Sequence, residues 1–204
     1  MTSWNAIRRR RSESPQNSPV PTISSRCDFN GFATRVSRLG LDAVVAEAES
    51  TLAAFDLVVE ESRHANGTRG LRMTIDEAFA GLGDWKKLTS GGVDWTKQSV
   101  GGGTVGVEVQ VSGRSDMLAV DIMHLKEDLE RGVIDVGIIV VPDDELSRYL
   151  TDRTPNLATA LKHVNHRARD LPIRVVAFRH DGVGSALEKM RTNLGRDKPQ
   201  DGRR

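Results

Sequence analysis

The sequence predicts an α/β protein with a mixed β-sheet core flanked by helices, and three stretches carry that expectation. Apolar residues recur at helical spacing from Leu41 to Val59. A Gly-rich turn at residues 101–103 leads into a run in which valines alternate with Gly106, Glu108 and Gln110. Residues 132–142 are almost continuous in β-branched side chains, as in a strand buried on both faces.

Taken in order, residues 1–25 are rich in Ser, Pro, Asn and Arg without periodicity and read as a disordered arm. Residues 41–61 form one amphipathic helix, which Asn66-Gly67 stops. A second helix is expected over 74–81, with Thr74 and Glu77 as a capping box. Trp85 reads as core. The hairpin at 93–111 follows, then a turn at 114–116, a strand over 117–123 and a polar segment to Arg131. Residues 132–142 make a central strand, 143–149 and 157–169 make helices, and 173–178 makes a last buried strand. This order of helices, a strand meander, helices and a strand departs from a regular βαβ repeat.

Composition narrows the class. The chain of 204 residues, 38% hydrophobic, supports one substantial core: a single domain over 28–188, with a basic arm over 1–27 and a basic tail over 189–204. No apolar run approaches the roughly 20 residues that span a bilayer, and no signal-peptide core is present, so a soluble intracellular protein is expected. The lone Cys27 excludes an internal disulfide and a cysteine-rich zinc cluster. Charge is segregated: five Arg oppose one Glu in 1–26, and six basic residues oppose two Asp in 189–204. The body between them holds 18 basic and 25 acidic residues. Such a body repels a polyanion unless cations or a local basic surface intervene, whereas the tails attract phosphate.

Chemistry concentrates in the hairpin. Strand alternation sets Glu108 and Gln110 on one side and Val107, Val109 and Val111 on the other. An antiparallel turn through residues 101–103 folds Asp94 back beside Glu108, giving two carboxylates able to share a divalent cation. Elsewhere, His163 and His166 lack a third ligand, and Gly182-Val183-Gly184-Ser185 lacks the Lys of a phosphate loop.

The run Val105-Gly106-Val107-Glu108-Val109-Gln110, the segment through Asp121, and the run from Ile134 to Pro142 together resemble type II restriction endonucleases of the BglII group. That group sits within the PD-(D/E)xK nuclease superfamily and is related to BamHI-like enzymes. The resemblance covers about residues 40–180. It implies a restriction-endonuclease-like fold, a homodimer and Mg²⁺-dependent cleavage of double-stranded DNA. It also implies a cognate DNA methyltransferase in the same system, without direct contact.

By this resemblance Asp94, Glu108 and Gln110 are the catalytic residues, and Asp94, Glu108 and the main-chain carbonyl of Val109 are the metal ligands. Gln110 stands where most of the superfamily has Lys. Fourteen positions separate Asp94 from Glu108, and Asp84 is the alternative acidic partner. Glu60, Glu61 and Glu77 are candidates for a helix-borne outer carboxylate. Lys97, Gln98, Arg114, Ser115 and Asp116 are candidate base readers, with Lys86 and Lys87 for phosphate. A catalytically silent DNA-binding module on the same fold, or a less sequence-specific defence or repair nuclease, are the alternative readings.

Overall fold

The computed structural model describes residues 21–88, 92–111 and 117–189. Its elements in chain order are β1 (Thr22–Asp28), α1 (Phe32–Arg38), α2 (Asp42–Leu52), β2 (Val58–Val59), α3 (Arg69–Gly81), β3 (Lys86–Lys87), β4 (Trp95–Gln98) and β5 (Thr104–Val109). After these come α4 (Met117–Glu130), β6 (Val136–Pro142), α5 (Leu146–Tyr149), α6 (Leu157–Arg167), β7 (Ile173–Arg179) and β8 (Gly182–Val183). Six strands form one sheet in the order β1-β7-β6-β5-β4-β3. Its centre, β5-β6-β7, is parallel, and both flanks are antiparallel. The expected mixed α/β sheet with helices on both sides is what the chain forms.

Strand alternation splits the core in two. Val136, Ile138 and Val140 of β6 pack with the buried faces of α1, α2 and α3, while Ile139 and Val141 pack with α4 and α6. The central strand is buried throughout, as its β-branched run requires. Two glycines permit the close approach of side chains on the α4 side. A Cβ on Gly106 would lie 2.6 Å from Ile134 Cδ1, and one on Gly137 would lie 2.9 Å from Leu125 Cδ1.

Several expectations require correction. The segment 117–123 is not a strand but the start of helix α4, whose buried Leu118, Ile122 and Leu125 follow helical spacing. Topology demands this, because the parallel pair β5-β6 needs a crossover that a hairpin meander cannot supply. The chain from β5 to β7 therefore does contain βαβ units. The helix expected over 41–61 ends at Leu52, since Val58 and Val59 pair with Gly182 and Val183 in a separate two-stranded sheet. Helix α3 begins at Arg69 rather than at residue 74; Thr74 lies inside it and donates to Gly70 O, so no capping box forms. Residues 22–27, expected within the arm, belong to edge strand β1. Their alternation of exposed and half-buried side chains contains too few large apolar residues to signal a strand, and pairing with β7 supplies the order.

The segment between α2 and α3 is tied down by Asn66, which is fully buried. Its Nδ2 donates to Glu60 O and Tyr149 O, and its Oδ1 accepts from Glu60 N and Leu187 N. One side chain thus satisfies four main-chain groups from three parts of the chain.

Candidate active site

The β4-β5 hairpin builds the site. Trp95 pairs with Val107, which puts Asp94, the residue before β4, across from Glu108. The two are joined through main-chain groups: Val109 N donates to Asp94 Oδ2 at 2.8 Å, and Asp94 N donates to Glu108 Oε2 at 3.3 Å. Helix α4 holds this entry from behind, because the buried Asp128 accepts from Val93 N at 3.1 Å. Glu108 is 5% exposed and Gln110 8%, while Val105, Val107, Val109 and Val111 are wholly buried in the opposite core. The polar pair over an apolar underside, expected from alternation, is present.

A cation already stands among these oxygens. Arg72, in the first turn of α3, donates Nη1 to Val109 O at 2.6 Å and Nη2 to Asp94 Oδ1 at 2.5 Å. Its Nε reaches Asp76 Oδ2 at 3.2 Å, and Asp76 in turn accepts from Lys87 Nζ at 2.6 Å and Trp95 Nε1 at 3.1 Å. Trp95 stacks on Phe79 of α3, which fixes the helix against the hairpin. Burial works against the Arg72 charge, but the bonds to and charges of Asp94 and Asp76 outweigh it and raise its pKa. Burial likewise opposes the Asp76 charge, and Lys87, Arg72 and Trp95 more than compensate, lowering its pKa.

On the other side Gln110 Nε2 donates to Asp121 of α4. Gln110 Oε1 is buried and has no partner among the described residues. Glu108 is raised to about 9, first by burial and then by the charges of Asp94 and Asp121. Asp121 is raised to about 6 by burial and by Asp94. Burial, reinforced by the neighbouring carboxyl groups of Asp94 and Asp121, thus keeps Glu108 protonated near neutral pH.

The remaining candidates separate by position. Asp84 pairs with Lys97 at 2.6 Å and takes no part at Glu108, so Asp94 is the neighbouring carboxylate. Lys97, expected to read bases, is held by Glu47 and Asp84 and lies over the Trp85 ring. Gln98 donates to Gly102 O inside the hairpin turn. Both sit toward the far end of the hairpin, where Gln98 pairs with Thr104, about 13 Å of strand from Glu108. The structure therefore does not bring Lys97 and Gln98 to the carboxylates. Arg114, Ser115 and Asp116 lie outside the described residues. Glu60 and Glu61 are not helix-borne: Glu60 binds Ser62, and Glu61 binds His180. Glu77 is exposed on α3, whose contributions are Arg72 and Asp76 instead. Sequence reading missed Arg72, Asp76, Asp121 and Asp128. Asp121 alone left a signal, as a charge inside the apolar run 117–123. Among the described residues, no three His, Cys, Asp or Glu side chains form a cation cage. No helix there is long and apolar enough to cross a membrane.

Fold and site together define a restriction-endonuclease-like protein, with an acidic pair where an antiparallel hairpin meets the carboxyl end of a parallel strand. The chain belongs to the restriction endonuclease BglII/BglIII family, whose model matches residues 39–178. That membership makes it a DNA-cleaving type II restriction endonuclease. The crystal structure of free BglII shares its fold, with a TM-score of 0.51 and 17% identity over 82% of this chain and 81% of that one. No curated protein sequence matches the chain.

Proposed function

We propose that this restriction endonuclease hydrolyses phosphodiester bonds of duplex DNA with Mg²⁺ held by Asp94, Glu108 and the carbonyl of Val109, as half of a restriction-modification system with a separate methyltransferase. The observation that carries this reading is the grouping of Asp94, Val109 O and Glu108 at the end of β5, beside a buried Gln110 Oε1 that has no partner among the described residues. The donor set fits the ion: all are hard oxygens, and a guanidinium already stands in as a cation on two of them. When bound, Mg²⁺ would lower the pKa of a water and offset charge on the scissile phosphate.

The chain's own residues do the rest. Gln110 cannot take up a proton near neutral pH, so it orients the attacking water rather than acting as its base. Its Nε2 is committed to Asp121, which leaves Oε1 to accept from that water. Glu108 must release a proton before it can serve as a ligand.

A homodimer would set two such sites on the two strands of a palindrome. Support comes from α4, where Met117, Val120 and Met123 are 46%, 43% and 37% exposed along one face. Helix α2 exposes Asp42, Ala43, Ala46 and Ser50, a surface without large apolar groups.

The test is incubation with long duplex DNA, with Mg²⁺ or with chelator, followed by sequencing of the product ends. Discrete Mg²⁺-dependent fragments ending at one short palindrome are expected. Random cuts would reject the site-specific dimer, and cleavage in chelator would reject the metal-dependent mechanism.

A further inference from the structure

The Arg72 guanidinium bonds Asp94 Oδ1 and Val109 O, and the reading above assigns the Asp94 carboxylate and the Val109 carbonyl to the metal. Removing Arg72 would leave the Asp94 carboxylate, beside Glu108 and Asp121, with no positive charge in contact among the described residues. The planar fork spans two acceptors that a single ammonium could not bond together in this way. Asp94 Oδ2 accepts from Val109 N and Oδ1 from Arg72, so both of its oxygens are engaged.

We propose that Arg72 is the resident cation of the metal-free site, and that loading a divalent ion exchanges the guanidinium for the metal on Asp94 and Val109. The inference rests on the metal-dependent reading of the site. A dication held by both oxygens would lie close to the guanidinium that bonds them, and like charges repel at short range. Asp76 makes the exchange local: Arg72 Nε is bonded to Asp76 Oδ2, so the side chain can leave two acceptors and keep a third. Asp76 also holds Lys87 and Trp95, which anchors that third acceptor while the guanidinium moves. Arg72 is thus a positioning residue. It preserves the arrangement of Asp94 and Val109 before metal arrives, and it sets how much free metal is needed to fill the site.

The experiment measures Mn²⁺ binding to the full chain by calorimetry, for wild type, Arg72→Gln and Arg72→Lys, with folding checked by circular dichroism. Arg72→Gln is expected to bind Mn²⁺ at least about tenfold more tightly and to melt lower in chelator. Arg72→Lys keeps the charge but cannot bond both oxygens, and is expected to gain part of that affinity. If the Gln variant gains while the Lys variant matches wild type, only through-space charge is involved and the exchange is overturned. Wild type binding Mn²⁺ with no gain in the Gln variant also overturns it, leaving the metal site standing. Binding in none of the three folded proteins would remove the metal reading itself, and the inference with it. Independently of any variant, the Arg72 side-chain NMR signals of ¹⁵N-arginine-labelled wild type are expected to shift on Mg²⁺ titration with the same saturation curve. Unmoved signals at saturating Mg²⁺ would overturn the exchange.

Discussion

Replacing Glu108 by Gln should make the metal-free protein more stable while abolishing cleavage. The side chain is 5% exposed, and burial together with the charges of Asp94 and Asp121 lifts its pKa from 4.5 to about 9. Between those values the folded chain keeps a proton that the unfolded chain has released, so stability falls as pH rises across the window. Each pH unit crossed costs about 1.4 kcal/mol, which puts the cost of retaining the ionisable group at about 3 kcal/mol near pH 7. Gln is close in shape to the protonated acid and cannot ionise. Its carbonyl can still accept from Asp94 N, and its amide has the Asp94 carboxylate beside it. For a domain of this size about 3 kcal/mol corresponds to roughly 6–12 °C in Tm. Thermal unfolding in chelator at several pH values, paired with a DNA-cleavage assay, measures both effects. The gain should grow with pH above about 4.5 and disappear below it. A Glu108→Gln protein that is less stable than wild type at neutral pH, or a gain that does not change with pH, would refute the account of Glu108 as a buried acid held for a cation.

The same geometry sets four other outcomes. Metal binding should tighten as pH rises toward about 9, releasing about one proton well below that value and fewer as it is approached, because Glu108 must ionise to bind; calorimetry in buffers of different ionisation enthalpy reads the proton count. Asn66→Ala should destabilise the fold by about 2–3 kcal/mol, since Glu60 N, Glu60 O and Leu187 N lose their side-chain partner while Tyr149 O keeps the main-chain N–H of residue 66, and chemical denaturation checks this. Gly106→Ala should cost about 1–3 kcal/mol by driving a methyl group into Ile134, with Ile134→Val expected to relieve part of the loss. Val120→Glu on α4 should shift a dimer toward monomer in sedimentation without lowering the melting temperature of the isolated chain, and an unchanged mass would move the interface elsewhere.

The hairpin was legible in the chain because its information is local. Alternation at Val105, Val107 and Val109 fixes which side Glu108 and Gln110 face, and a glycine turn dictates that Asp94 returns beside Glu108. The central strand was legible for the same kind of reason, since an unbroken β-branched run has few alternatives to a strand covered on both faces. The segment at residue 117 shows where local reading fails. Seven mostly apolar residues fit a strand as well as a helix, and the decision came from the parallel pairing of β5 with β6, which needs a helical crossover. Residues 22–28 and 58–59 became strands only because β7 and β8, more than 100 residues later, offered edges to pair with.

The class of fold, the hairpin and the neighbouring carboxylates were written in the order of residues, all products of spacing within a short stretch of chain. What surrounds them came from the assembled fold. Arg72 and Asp121 come from helices on opposite sides of the sheet end, and nothing in their own neighbourhoods predicts that one bonds Asp94 and the other Gln110. Burial is equally a property of that assembly. A Glu at position 108 is an ordinary carboxylic acid in the extended chain, and it becomes one raised to about 9 only when packing removes water and sets two other carboxyl groups beside it.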